Sequence, residues 1–287
     1  MQDIPRVQRK GTKLEYNFKS DVLFKMLFAR HQHLLKRLIA VLLEIPLESM
    51  TQFEITNTEM PPEEIGTKFC RLDINMVVNG NKVNLEIQVE DEGNYPERAL
   101  YHFARIYSSA LPAGKDYSLL PRVIIINIMD FKLFKDCGDV HSEFQVLEKR
   151  RYTQLTDKCA LHFLELPKMP DVDLIDQNNE KDLWLALFNA ETEEELHELS
   201  MKGGAVMNEA IQAYRGIAID EEFKSLEWIR RKARHDEAQA LGNAQRMERE
   251  RWQEVVAEKD AELAEKDTTL AEQAALIAKL QAMIGKQ

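Results

Sequence analysis

The pair Asn79-Gly80 stands between two runs that alternate apolar and polar residues. Cys70-Arg71-Leu72-Asp73-Ile74-Asn75-Met76-Val77-Val78 precedes it, and Lys82-Val83-Asn84-Leu85-Glu86-Ile87-Gln88-Val89-Glu90 follows. A period of two is the strand signal, and Asn-Gly supplies the positive-φ residues that a tight hairpin turn requires. Residues two apart on a strand share a face. Glu86 and Gln88 therefore project together while Ile87 projects to the other side. Pairing across the turn carries Asp73 towards the level of Glu86. Two carboxylates then converge near one amide, the arrangement a divalent metal needs for phosphodiester hydrolysis. The residues alone also allow a plainer reading, two solvent-facing acids on a half-exposed hairpin. Acidic residues are depleted in strands, so a Glu between Leu85 and Ile87 asks for an explanation.

The neighbouring elements read as an α/β protein. Ser20 is placed to cap a helix whose first turn holds Asp21. Leu23, Phe24, Leu27, Phe28, Leu34, Leu35, Leu38, Ile39, Leu42 and Leu43 recur at helical spacing, as two helices or one broken helix ended by Pro46. Phe53 to Glu59 looks like a strand, and Pro61-Pro62 forces a loop. Glu92-Gly93-Asn94 is a turn, and Tyr95 to Leu111 reads as a helix with Pro96 in its first turn. Val123 to Ile128 is an almost continuous β-branched run, the mark of a strand buried on both faces. Glu143 to Tyr152 and Leu161 to Leu166 are further strand-like stretches, and from about Asp182 the pattern is helical. This order predicts a mixed central sheet with helices on both faces and a helical C-terminal region.

Bulk properties set outer bounds. The chain has 287 residues, and its formal net charge of −11 argues against a generic basic nucleic-acid coat. Lys10, Lys13, Lys19, Lys25, Arg30, Lys36 and Arg37 nevertheless make the first forty or so residues locally basic. Cys70, Cys137 and Cys159 lack paired spacing and read as reduced thiols. With no long apolar run and no apolar core in Met1 to Lys13, neither a membrane span nor a signal peptide is expected, and a cytoplasmic protein is. The tail repeats by sevens: Val256, Leu263, Leu270, Ile277 and Ile284 share one register, with alanines beside them. A coiled coil used for self-association is the expectation; a long solvated helix is the bland alternative.

Several motifs in this order resemble a known family. Asp73, Glu86-Ile87-Gln88, Arg98-Ala99-Leu100-Tyr101-His102 and the buried strand at Val123 are similar to the PD-(D/E)XK nuclease superfamily. More narrowly, they resemble its Rpn branch of recombination-promoting nucleases, often labelled transposases. Asp21-Val22-Leu23-Phe24-Lys25 and Ala113-Gly114-Lys115-Asp116-Tyr117 match that branch as well, and the resemblance covers about Phe18 to Pro167. It implies a restriction-endonuclease-like core, and with the helical pattern and the heptads the chain divides into a nuclease-like domain over residues 1–170, a helical extension over 171–233 and a long helix or coiled coil over 234–287. It implies Asp73, Glu86 and Gln88 as the catalytic set, Mg²⁺ (or Mn²⁺) held by Asp73, Glu86 and the Ile87 carbonyl, and DNA as partner. The superfamily's motif Lys is replaced here by Gln88, as is usual in the Rpn branch. Gln hydrogen-bonds but is no practical base, so the proton must leave by another route.

Other positions carry two readings each. Arg98, Tyr101, His102 and Arg105 lie along one helix, as a phosphate-contacting face with His102 as an auxiliary base, or as surface groups pairing with Glu97 or Glu92. Asp21 and Lys25 form an i, i+4 pair; the resemblance adds Asp21 near the metal and Lys25 among the DNA contacts. Lys149-Arg150-Arg151 could touch a DNA backbone or simply end a strand. The leading expectation is a metal-dependent DNA endonuclease of recombination or transposition-like breakage. The alternative is a catalytically decayed nuclease fold, serving as an oligomeric DNA-binding or protein-interaction scaffold. Gln88, the net charge and the acidic tail motivate that alternative.

Overall fold

The computed structural model describes residues 11–57, 73–91 and 93–284. Pro61-Pro62, Cys70, Glu92, the end of the stretch expected as a strand to Glu59, and the hairpin flank before Asp73 lie outside the described residues, as do the first ten residues.

Six strands form one mixed sheet in the order β1-β2-β3-β4-β6-β5. They are β1 (Phe53–Ile55), β2 (Ile74–Val78), β3 (Asn81–Gln88), β4 (Val123–Met129), β5 (His141–Phe144) and β6 (Cys159–Glu165). The β2–β3 pair is the expected hairpin: Ile74 faces Leu85 and Val78 faces Asn81. Asn79 and Gly80 have φ of 47° and 79°, the double positive φ of a type I′ turn. β4 lies parallel between β3 and β6. Its run is buried on both faces as expected, because Ile124, Ile126 and Ile128 enter one apolar cluster while Val123, Ile125 and Met129 enter another.

The second cluster is covered by α3 (Tyr95–Ser109) through Tyr95 and Ala99. The first lies under α1 (Asp21–Arg30) and α2 (Gln32–Leu42), and extends into α4 (Glu180–Asn189), α5 (Glu193–Lys202) and α6 (Gly204–Ala218). Helices on both faces of a mixed sheet are what the order of elements predicted. Ser20 caps α1, its Oγ accepting from the Leu23 N–H at 3.2 Å. α1 is buried from Asp21 to Phe28, apolar nearly all round, which suits a helix sunk in a core.

Two strands fall short of expectation. β1 is formed over Phe53–Ile55, and the stretch from Glu143 to Tyr152 is strand only as far as Phe144. The Glu148 carboxylate takes the N–H groups of Arg150 and Arg151 (3.2 and 2.6 Å), and the Glu148 carbonyl takes that of Tyr152 at 2.8 Å. These bonds close a turn with Tyr152 at φ 57°, so Lys149-Arg150-Arg151 sits in an exposed turn. The last helix, α7 (Glu221–Ile284), starts in the first compact unit, which ends at Arg231; residues 232–287 form a second unit. Within the second unit Val256, Leu263, Leu270 and Ile277 are 54%, 57%, 61% and 55% exposed in the single chain. No described helix is long and apolar enough to cross a membrane. Cys137 and Cys159 are free thiols.

Candidate active site

Asp73 stands one residue before β2. Continuing the register that pairs Ile74 with Leu85 sets it opposite Glu86. Directly opposed residues of an antiparallel pair share a face, so Asp73, Asn75, Asn84, Glu86 and Gln88 line one side of the hairpin. The side chains agree. Asp73 Oδ2 accepts from Asn84 Nδ2 at 2.6 Å and from Asn75 Nδ2 at 2.9 Å. Asn84 Nδ2 also donates to Asn75 Oδ1 at 2.9 Å. Neither asparagine was singled out from the sequence, although the same two-residue period that pairs Asp73 with Glu86 includes both.

Glu86 is 7% exposed and lies on the face covered by α3. Its Oε1 accepts from Arg98 Nη2 at 2.6 Å, and its Oε2 lies 3.7 Å from His102 Nδ1. The same Arg98 nitrogen reaches Gln88 Oε1 at 3.3 Å. Arg98 also sits over the Tyr95 ring, 5.5 Å from its centroid. Tyr95 OH in turn donates to Asn127 Oδ1 on β4 at 3.0 Å. One turn of α3 thus delivers Arg98 and His102 to a single carboxylate, as the i, i+4 spacing allows. Tyr101 and Arg105 point elsewhere on the same helix and are exposed.

The Ile87 carbonyl is turned to the Asp73 side. Gln88 O accepts from the Asp130 N–H at 2.9 Å, on the β4 side. Successive carbonyls of a strand alternate, so that of Ile87 faces the β2 side. Asp73, Glu86 and Ile87 together offer hard oxygen donors, a set suited to Mg²⁺ or Mn²⁺ and ill suited to thiophilic ions. Among the described residues no three His, Cys, Asp or Glu side chains meet in a metal-holding group.

The N-terminus of α1 lies at the edge where β3 and β4 end. Lys19, 4% exposed, bridges Asp130 just beyond β4 at 2.9 Å and Glu191 at 3.0 Å. Asp21 comes to this edge with its Oδ2 held by Arg230 of α7, from Nε at 2.9 Å and Nη2 at 2.8 Å. Lys25 is likewise buried, at 4% exposure, and Arg30 and Arg37 are paired with acidic groups. Of the basic opening, Lys19, Arg30 and Arg37 are thus engaged by acidic groups. Arg230 could not have been found from local pattern, because it meets Asp21 across 209 residues.

No curated protein and no solved structure matches the chain. The family model for the PD-(D/E)XK nuclease family transposase does match, over residues 18–244. That span takes in all six strands and the Asp73–Glu86 hairpin. The mixed sheet with flanking helices is the architecture such a match requires, and the chain belongs to the PD-(D/E)XK nuclease transposase family.

Proposed function

We propose that this protein is a Mg²⁺- or Mn²⁺-dependent DNA endonuclease that breaks strands in recombination or transposition-like events. The observation that carries the reading is the opposition of Asp73 and Glu86 on one face at the end of the β2–β3 pair, with the Ile87 carbonyl turned to Asp73. Asp73, Glu86 and Ile87 would hold the ion. When bound, it would supply Lewis-acid stabilisation of the phosphoryl oxygens and a water of lowered pKa.

The chain's own groups then have distinct tasks. Asn75 and Asn84 fix the Asp73 carboxylate through its Oδ2 and leave Oδ1 outside those bonds. Arg98 fixes Glu86 and brings a positive charge beside the carboxylate, where an incoming phosphate would meet it. Gln88, with its Oε1 on Arg98 and its Nε2 on the Glu90 carbonyl at 3.1 Å, orients rather than deprotonates, since an amide has no useful basicity. His102 is the neighbouring group able to carry a proton, and Tyr101 and Arg105 extend the exposed helix face towards a nucleic-acid backbone. Asp21 and Lys25 are candidates for support from α1.

The test is nicking of supercoiled plasmid with Mg²⁺ or Mn²⁺, run beside calorimetric metal titration. The parent should nick only with metal. Glu86→Ala should lose nicking by at least two orders of magnitude and bind the ion more weakly. A parent that binds neither ion at millimolar concentration sinks the enzyme reading and favours the scaffold, in which Gln88 marks lost catalysis.

A further inference from the structure

The edge strand β5 is four residues long and pairs with β6 alone, from His141 opposite Leu164 to Phe144 opposite Leu161. A ladder that short depends on side chains to hold it. On the face covered by α3, Phe144 packs against Phe134 and Phe163, with ring centroids 5.2 and 5.5 Å away. On the other face the holder is polar. His141 is two residues before Glu143, which lies directly opposite His162 on β6, so His141 and His162 are diagonal neighbours. Their Nε2 and Nδ1 share a hydrogen bond of 2.9 Å. Both rings line a cavity of about 230 Å³ between the end of α2, the β2–β3 turn and β5.

A single hydrogen lies between those two nitrogens, so one ring donates and the other accepts. The pair can carry one added proton and keep its bond, because an imidazolium still donates to a neutral partner. With a proton on both rings, N–H faces N–H and two positive charges meet. His162 is the less tolerant partner. It is 5% exposed, and its Nε2 is buried without a hydrogen-bond partner, so the charged ring would hold an N–H that nothing accepts. The charged groups facing the pair offer little relief. Glu143 of β5 and Glu44 after α2 favour the charged form, but Arg122 before β4 lies 3.9 Å from Glu143, and Lys181 of α4 holds Glu44 at 3.0 Å.

We propose that the His141–His162 pair is an acid-sensitive latch, which holds β5 on β6 while at most one ring is charged and lets the edge strand go when both are. Burial draws His162 down to about 4 and lowers His141 as well. A free imidazole titrates near 6.5, so the opened strand takes up protons first as pH falls. The latch is therefore at full strength above about 6.5 and is lost as pH falls towards about 4. Release is confined to the edge because β4 keeps a seven-residue ladder on each side, to β3 and to β6. Opening uncovers the edge of β6, a row of unpaired backbone groups.

This inference does not depend on the nuclease reading. Amide hydrogen exchange of the full chain is followed by mass spectrometry from pH 7 to pH 5, corrected for the intrinsic exchange rate, in the parent, His162→Gln and His141→Gln. In the parent, protection of the peptide spanning β5 should fall by about tenfold or more over that interval, while β3 and β4 keep theirs. In His162→Gln the fall should shrink to about threefold or less. His141→Gln removes the second charge and leaves the buried ring in place, so its fall should also be smaller than the parent's. That variant changes the less buried residue and keeps the test open if His162→Gln fails to fold. Constant protection of β5 in the parent overturns the proposal. So does a fall that either substitution leaves undiminished, or one shared equally by all strands.

Discussion

Arg98 shows how much of this site depends on one side chain. A single guanidinium nitrogen serves both Glu86 and Gln88, so the two motif residues after the hairpin turn are oriented together. Replacing it with Ala should reduce nicking by about 10- to 100-fold, the usual cost of losing an outer partner of a metal-binding carboxylate. Lys at the same position restores charge but not the planar fork, so Arg98→Lys should recover only part of the rate. Plasmid nicking at saturating Mg²⁺, compared across the three proteins, checks both statements. The opposition of Asp73 and Glu86 was legible from sequence because alternation and Asn-Gly together fix face and register. The asparagines around Asp73 were legible in principle by the same parity. The partnership of Arg98 with Glu86 was not, because a helix following a loop can be docked in several rotations, and only packing of Tyr95 and Ala99 against β4 and β6 selects one.

At the level of elements, α1 is the helix whose anchoring is most exposed to test. Ser20 Oγ accepts from Leu23 N and donates to Glu227 Oε2 at 2.6 Å, so one hydroxyl caps α1 and satisfies a buried carboxylate on α7. Ser20→Ala should cost about 1–3 kcal/mol, the sum of a lost cap and a lost charge-assisted bond, read as a shift of the urea midpoint at unchanged slope. α6 is tied to the same region by Tyr214, whose OH donates to the Tyr16 carbonyl at 2.5 Å. Burial pushes Tyr214 up to about 12. Because its folded pKa lies above the unfolded value near 10, the unfolded state loses its proton first, and stability must decline as pH rises from about 10 towards 12. Denaturation midpoints over that window should fall more steeply in the parent than in Tyr214→Phe. α1, α2 and α3 were readable from sequence because their apolar residues recur at helical spacing, with Ser20 as the cap of α1. The failed strand after Phe144 was not, because Glu143-Phe144-Gln145-Val146 alternates like a strand while Glu148 folds the residues that follow into a turn.

At the scale of the molecule, the second unit holds exposed aliphatic side chains spaced seven residues apart, Val256, Leu263, Leu270 and Ile277. We propose that it self-associates as a coiled coil, the one arrangement that buries such a series in a helix this long. Deleting the residues after Arg251 should lower the oligomeric state measured by light scattering and leave the thermal transition of the first unit in place. An unchanged oligomeric state would assign assembly to another surface. The nuclease unit itself closes late along the chain: Arg230 reaches Asp21 across 209 residues, and Glu227 reaches Ser20 across 207. On a ribosome, these two clasps cannot form until synthesis has passed the start of α7. A truncated or stalled product would leave α1 without its guanidinium and carboxylate anchors at the edge where the strands end. The order of synthesis thus leaves the strand ends beside the proposed site without these two anchors in every incomplete chain.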